Sequence, residues 1–157
     1  MDKTIITGLM IIAGVVCAVI IFNALYPAVT QSSAAMVAMQ GRIDGRLKSQ
    51  IEIIHAVPDG VVTSRVLVWV KNVGSVTINP IERCDVFFGP EGSYMRIPYN
   101  AGTAPQWTYA LENDNSWKPT ATLKIAIDVA ENLSDGTRYY VKISLPNGIS
   151  DEYYFTK

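Results

Sequence analysis

The chain has 157 residues and a formal net charge of −1, which is enough for one modest domain and one additional element. Its 13 Lys and Arg residues are scattered rather than clustered, so the sequence argues against a nucleic-acid partner. Charged residues make up only 17% of the chain, below the usual share of about a quarter, because Asp, Glu, Lys and Arg are all missing between Lys3 and Arg42.

The chain begins with a long apolar segment. From Ile5 to Leu25 the only polar groups are Thr7, Asn23 and the thiol of Cys17. A run of about 20 apolar residues is long enough to span a bilayer, and a helix that is apolar on every face has to be buried by lipid or by protein. A secretory signal peptide is the alternative, but this run is longer than the apolar core of a usual signal peptide and lacks a clear A-x-A cleavage site.

The helix is expected to continue well beyond the apolar run, because the next residues are rich in Ala, Met, Gln and Lys, which favour helices. Asp44 and Lys48 are spaced for an i, i+4 ion pair in a solvated last turn. We therefore predict one helix over about residues 3–48, on the order of 70 Å long, with a kink or local break at Pro27. The predicted regions are an N-terminal hydrophobic helix, 1–48, and an outer domain, 49–157.

Small residues recur four positions apart along this helix, a spacing that allows helix backbones to approach closely. An ordinary membrane anchor would show small residues as well, so helix–helix assembly and simple anchoring both remain open. The pairs with this spacing are Gly14 with Ala18, Ala24 with Ala28, and Gly41 with Gly45.

The remainder of the chain reads as β-structure, with short runs rich in Val, Ile, Tyr, Phe and Trp that are separated by turn residues. Asn147-Gly148 lies between two alternating runs and predicts a two-residue type I′ hairpin. Eight short strands favour an immunoglobulin-like sandwich, so the predicted fold is a long N-terminal α-helix plus an all-β sandwich. The strands are predicted at residues 50–57, 61–72, 76–88, 94–99, 106–112, 122–130, 137–145 and 149–156.

One predicted strand is apolar on both faces. Val66, Val68 and Val70 form one face, while Leu67 and Trp69 make the other face apolar too. Such a strand is either central in its sheet or covered by something outside the domain.

The sequence contains no constellation typical of an enzyme. His55 is the single histidine, the serines do not form a G-x-S-x-G elbow, and Cys84 has no base near it in sequence. Cys17 and Cys84 lie in regions of different character, so an internal disulfide is not expected. We predict a protein that is not an enzyme and requires no cofactor.

Three other groups of residues could act as surface sites. Glu112, Asp114 and Asn115 could supply oxygen ligands to Ca²⁺, but their spacing is not that of an EF-hand, and a solvated turn is favoured. Asn132 begins the single N-x-S/T sequon of the chain and is the glycosylation candidate. The aromatic residues Trp107, Tyr109 and Trp117 could form an exposed patch, although packing in the core or against another subunit is favoured.

Two segments of the chain carry motifs of a known family. Residues 6–16 read ITGLMIIAGVV, and residues 66–78 read VLVWVKNVGSVTI, which includes a KN-x-G-S stretch. The first segment is similar to the start of mature archaellins, and the second resembles a stretch that the archaellin family often carries. Members of this family form the archaellum, a rotary swimming filament built on type IV pilin principles. The resemblance implies a pilin-like layout, in which the helices bundle in the filament core and the sandwiches form the outer wall.

The resemblance also implies a route of assembly. A short leader would be removed by a prepilin-type peptidase, either before Ile6 or near Gly8. The membrane-inserted precursor would then pass, with the help of an assembly ATPase and platform machinery, into a homopolymer outside the cell. Met10 stands where the family often has Glu, which is a departure from its pattern. The residues expected to contact each other in the core of the filament are Ile11, Gly14, Val15, Ala18, Ile21 and Phe22.

Two other functions remain open. A membrane-anchored accessory protein of the same machine, acting as a stator or cap, would keep its helix in lipid and exist in few copies. An adhesive pilin-like subunit or ligand-binding surface domain would instead show a defined pocket or an aromatic patch. The filament subunit is the preferred interpretation.

Overall fold

The computed structural model describes residues 2–112 and 114–157. The chain divides into two compact units, Met1–Ile43 and Asp44–Lys157. A single helix, α1, covers Asp2–Lys48, so its last turn belongs to the second unit. The long N-terminal helix predicted from the sequence is therefore confirmed.

None of the residues of α1, from Asp2 to Lys48, is buried, and its apolar stretch is long enough to cross a membrane. The helix continues through Pro27 without interruption, so the predicted local break does not occur. Near this proline, the single hydroxyl hydrogen of Thr30 is shared between the carbonyl oxygens of Tyr26, at 3.1 Å, and Pro27, at 3.0 Å. The carbonyl that proline leaves without a helical N–H donor is that of Asn23, four residues earlier.

The second unit contains eight strands in two four-stranded antiparallel sheets, which confirms the sandwich. The first sheet has the order β1-β2-β6-β5 and the second has the order β4-β3-β7-β8. The strands are β1 Ile51–Pro58, β2 Arg65–Asn72, β3 Asp85–Pro90, β4 Met95–Ile97, β5 Gln106–Glu112, β6 Thr122–Asp128, β7 Arg138–Ser144 and β8 Ser150–Thr156.

The core forms between the sheets because apolar residues alternate along the strands. In β2, Val66, Val68 and Val70 have no exposed surface, and in β6 Ile125 and Ile127 are buried in the same way. Full burial of each such side chain contributes about 1.5–3 kcal/mol relative to exposure. At one side of the sandwich, the backbone N–H of Ile53 in β1 donates to a carboxylate oxygen of Asp151 in β8, at 2.7 Å.

Two predicted elements differ from the structure. The run at 76–88 is not one strand: a 3-10 turn at Ile81–Arg83 precedes β3, because Pro80 lacks the N–H donor that an internal strand needs. The β7–β8 connection is a three-residue loop rather than a two-residue one, since Leu145 N–H bonds to the carbonyl of Ile149 at 2.7 Å. Pro146 favours a type I turn here, and Gly148 follows it with a φ of 85°.

The strand that is apolar on both faces is β2, and it lies inside its sheet between β1 and β6. Leu67 and Trp69 point to the outer face and are half-buried. Neighbouring side chains cover Trp69, because His55 stacks at 6.3 Å between ring centroids and Lys124 Nζ lies 5.5 Å above the ring. Its position in the sheet explains part of its apolar character, and its outer face remains partly open to solvent.

Candidate assembly surface

The largest exposed apolar surface of the chain is the helix α1. Its large hydrophobic side chains are between 48% and 80% exposed. Soluble monomers rarely expose contiguous apolar patches of more than a few hundred Å². This surface therefore indicates that α1 is covered by lipid or by other protein chains.

The six residues predicted as core contacts lie on one face of α1. Each of them is three or four positions from another member of the set, which places them along one stripe of a helix. Ile11, Val15, Ile21 and Phe22 are each more than half exposed, and Gly14 and Ala18 lie between them. A Cβ atom built on Gly14 meets no other atom within 4 Å apart from its own helix backbone, so this position faces open space.

One of the suggested calcium ligands, Asp114, is engaged by a cation of the chain. It forms an ion pair with Lys118 at 2.9 Å, and this bond, with the backbone N–H of Asn115, lowers the pKa of the Asp114 carboxyl. Within residues 2–112 and 114–157, no three His, Cys, Asp or Glu side chains come close enough together to hold a metal ion.

The sequon lies in an exposed loop after β6. The Asn132 side-chain oxygen accepts a hydrogen bond from the Thr63 hydroxyl at 2.7 Å. The backbone N–H of Ser134 donates to the Tyr139 hydroxyl at 2.8 Å. Among the described residues, the amide nitrogen of Asn132, the atom that glycosylation modifies, has no hydrogen-bond partner.

The remaining candidates have structural environments. Cys17 and Cys84 are both free thiols, and burial raises the pKa of Cys84 to about 12, so this thiol is a poor nucleophile. Trp107 and Trp117 are almost completely buried and cannot form a surface patch. Tyr109 donates a hydrogen bond to Glu82 at 2.6 Å, which lowers the pKa of that carboxyl.

An apolar cavity of about 460 Å³ opens between the sheets near the short edge strand β4. Phe88, Ile97 and Leu133 form its floor, and the exposed side chain of Met95 lies at its rim. Its size is that of a small-ligand pocket, but it holds no charged group other than Glu131. The cavity arises because β4, with three residues, is too short to cover the core.

Sequence reasoning missed the role of the Lys71–Ser75 segment, which appeared only as a family signature. In the structure this turn contacts the end of α1: the backbone N–H of Ser75 donates to the carbonyl of Lys48 at 2.8 Å. Asn72 is completely buried and bonds to three backbone groups. Burial of an Asn without hydrogen-bond partners is costly. An Asn at a position where the alternation of β2 predicts a buried residue was therefore the sequence signal that could have pointed to this turn.

Comparison with known proteins agrees with this arrangement. The model of the archaeal-type flagellin family matches residues 3–155. An uncharacterized protein of Archaeoglobus fulgidus is 27% identical over 161 residues, covering 98% of both chains.

Two solved structures match the chain to different extents. The archaellum periplasmic stator protein FlaG from Sulfolobus acidocaldarius is 33% identical, covers 68% of this chain and 99% of its own, and has a TM-score of 0.62. The subunit of the archaeal flagellum of Methanospirillum hungatei strain JF1 covers 96% of this chain and 90% of its own, with a TM-score of 0.70. At 13% identity, the second likeness concerns the fold, including the helix. The match over nearly the whole sequence shows that the chain belongs to the archaeal-type flagellin family.

Proposed function

We propose that the chain is the structural subunit of an extracellular, archaellum-like helical filament, and that it polymerises through α1. The observation that carries this proposal is a helix whose apolar side chains are exposed on every face. Before assembly this helix holds the precursor in the membrane. Outside the cell it requires a different apolar environment.

Copies of the same helix supply that environment. One sandwich attached to one helix cannot surround an apolar rod, whereas repetition by a screw operation surrounds each helix with others and produces an open polymer. Dispersion contacts between many helices then replace the contacts with lipid. By resemblance to the family, we propose that an assembly ATPase and platform machinery transfer the chain from the membrane to the filament.

Within α1, we propose that the stripe from Ile11 to Phe22 forms the closest helix–helix contact. Gly14 and Ala18 are one helical turn apart on this stripe, and small residues at this spacing let two backbones approach. Since a Cβ atom at position 14 meets nothing within 4 Å beyond its own helix backbone, the helix itself has room for a larger residue there.

The test compares Gly14→Leu and Ala18→Asp with the matched controls Gly60→Leu and Ala101→Asp, which place the same changes in exposed sandwich loops. All four variants should keep a folded sandwich, as measured by tryptophan fluorescence. Filaments sheared from the cells should be lost for the two helix variants and retained for the two controls. Normal filaments from either helix variant would refute this map of the core.

A stator is the second candidate, and one observation favours it: 33% identity to FlaG over 68% of this chain. A stator keeps its helix in the membrane and exists in few copies, whereas a filament subunit is released by shearing in large amounts. Quantification of the chain in sheared material and in membranes therefore separates the two functions.

We also propose that Asn132 is glycosylated when the domain is outside a cell that modifies N-x-S/T sequons. The residue lies in an exposed loop, which an enzyme can reach. The mass of the mature protein should fall by one glycan in the Asn132→Gln variant. A parent chain whose mass equals the mass calculated from its sequence without a glycan would contradict this proposal.

A further inference from the structure

The end of α1 is fixed to the sandwich unit by backbone hydrogen bonds. The last four carbonyl groups of a helix have no partner within the helix. Here the N–H of Ser75 donates to the carbonyl of Lys48 at 2.8 Å, and the N–H groups of Val73 and Gly74 both donate to the carbonyl of Gln50 at 3.0 Å. The turn at 72–75 thus binds the residues with which the helix ends and the sandwich begins.

The shape of this turn is fixed by a buried amide. Asn72 has no exposed surface, and its Nδ2 donates to the carbonyls of Val76 at 2.8 Å and Trp117 at 3.0 Å. Its Oδ1 accepts a hydrogen bond from the N–H of Gly74 at 3.0 Å. All hydrogen-bonding groups of the side chain are therefore directed to the backbone around the turn.

Gly74 is needed here for space rather than for an unusual backbone conformation. A Cβ atom at this position would collide with the carbonyl oxygen of Lys48 and lie 2.6 Å from the amide nitrogen of Gln50. Both obstacles are backbone atoms, so no side-chain rotation relieves the collision. Any larger residue has to push the end of α1 away from the turn.

A second contact holds the same helical turn from the β7–β8 hairpin. Arg46 Nε donates to the carbonyl oxygen of Asn147 at 2.7 Å. A Cβ atom at Gly148 would lie 3.1 Å from a terminal guanidinium nitrogen of Arg46, so glycine leaves room for this side chain. Inside the turn itself, the Ser49 hydroxyl donates to the carbonyl of Gly45 at 2.7 Å.

We infer that the turn at 72–75 and the hairpin at 146–148 form a helix-end socket, which makes residues 44–50 an integral part of the sandwich. Any movement between helix and sandwich then takes place before Asp44 rather than at the junction of residues 48 and 49. Gly41, which like any glycine has a low helix propensity, lies just before this boundary. One consequence rests on the proposed function: in the proposed filament, the socket attaches each outer domain to the end of its helix through the same contacts.

The test uses hydrogen–deuterium exchange of the full chain in mild detergent. The variant is Gly74→Ala, and its matched control is Gly60→Ala, since a Cβ atom at Gly60 meets nothing within 4 Å. In Gly74→Ala, but not in Gly60→Ala, peptides covering 44–50 and 72–76 should exchange at least about tenfold faster than in the parent chain. The reason is that several hydrogen bonds open together. Peptides covering β6 report whether the sandwich remains folded.

Arg46→Ala is the second variant, because it removes one exposed contact and cannot unfold the turn. Exchange in residues 44–49 should become about fivefold faster, as expected for the loss of one hydrogen bond. Exchange at the rate of the parent chain in both Gly74→Ala and Arg46→Ala would overturn the socket.

The filament is measured separately. Filaments of Gly74→Ala should have a lower persistence length in electron micrographs than filaments of Gly60→Ala, and equal values would overturn the role of the socket in the polymer. If the parent chain forms no filaments, the proposed function fails, while the exchange rates still decide whether the socket exists.

Discussion

Replacing Asn72 by Ala tests how the structure stabilises the turn that receives the helix. The carbonyl of Val76, whose bond to Asn72 is partly buried, would lose its donor, at a cost of about 1–3 kcal/mol for a group left unpaired. The carbonyl of Trp117 keeps the N–H of Ile78, and the N–H of Gly74 keeps the carbonyl of Gln50. Those two lost bonds therefore cost about 0.5–1.5 kcal/mol each. The expected loss is about 2–6 kcal/mol, a large share of the about 5–15 kcal/mol that stabilise a typical domain.

The assay is urea unfolding of the full chain in mild detergent. Tryptophan fluorescence reports on the sandwich alone, because Trp69, Trp107 and Trp117 all lie in it. Asn115→Ala is the control: its side chain is exposed, and the free energy of unfolding should change by less than about 0.5 kcal/mol. A loss below about 1 kcal/mol for Asn72→Ala would refute the hydrogen-bond assignment.

Two further predictions concern titrating groups. At about pH 8, a maleimide should spare Cys84 in the folded sandwich, because its thiol is buried with a pKa of about 12, and should label it after unfolding; labelling of Cys84 without unfolding, detected by mass spectrometry, would contradict its burial. The bond from Tyr109 lowers the pKa of Glu82 below its ordinary value of 4.5, so its stabilising contribution is present above that value and is lost as the pH falls through the lowered pKa. Tyr109→Phe should therefore make unfolding less dependent on pH below about pH 5, and an acid-unfolding profile unchanged by this substitution would count against the bond.

Much of the sandwich could be predicted because local patterns determine it. The alternation of apolar and polar residues in 122–128 identifies both the strand and its buried face, since a strand has a side-chain period of two. The 76–88 run was misread for a related reason. Its β-branched residues outweighed Pro80 in the prediction, although proline limits strand pairing to edges and ends.

The hairpin shows a finer limit of sequence reasoning. Asn147-Gly148 correctly indicated a tight turn, but Pro146 shifted the loop to three residues because its fixed φ suits the first central position of a type I turn. Only Gly148 adopts a positive φ in this loop. The type of turn thus depended on Pro146, the residue before the Asn-Gly pair that indicated the turn.

The helix-end socket could not be predicted because its contacts join residues that are distant in sequence. Arg46 and Asn147 are separated by 101 positions, and no periodic pattern connects them. The family signature did mark Asn72 and Gly74, but without the neighbouring backbone it gave no physical reason for them. The proposed contact face of α1 is hard to identify from the sequence for a similar reason, because its proposed partners are other molecules.

The central claim is that copies of the same chain bury the apolar surface of α1 outside the cell. Mass spectrometry of filaments sheared from cells, with their structure determined by electron cryomicroscopy, tests it most directly. The account predicts that this chain is the repeating subunit and that residues such as Gly14 and Ala18 face neighbouring helices. Filaments made of a different protein, with this chain found only in the membrane at low copy number, would contradict it.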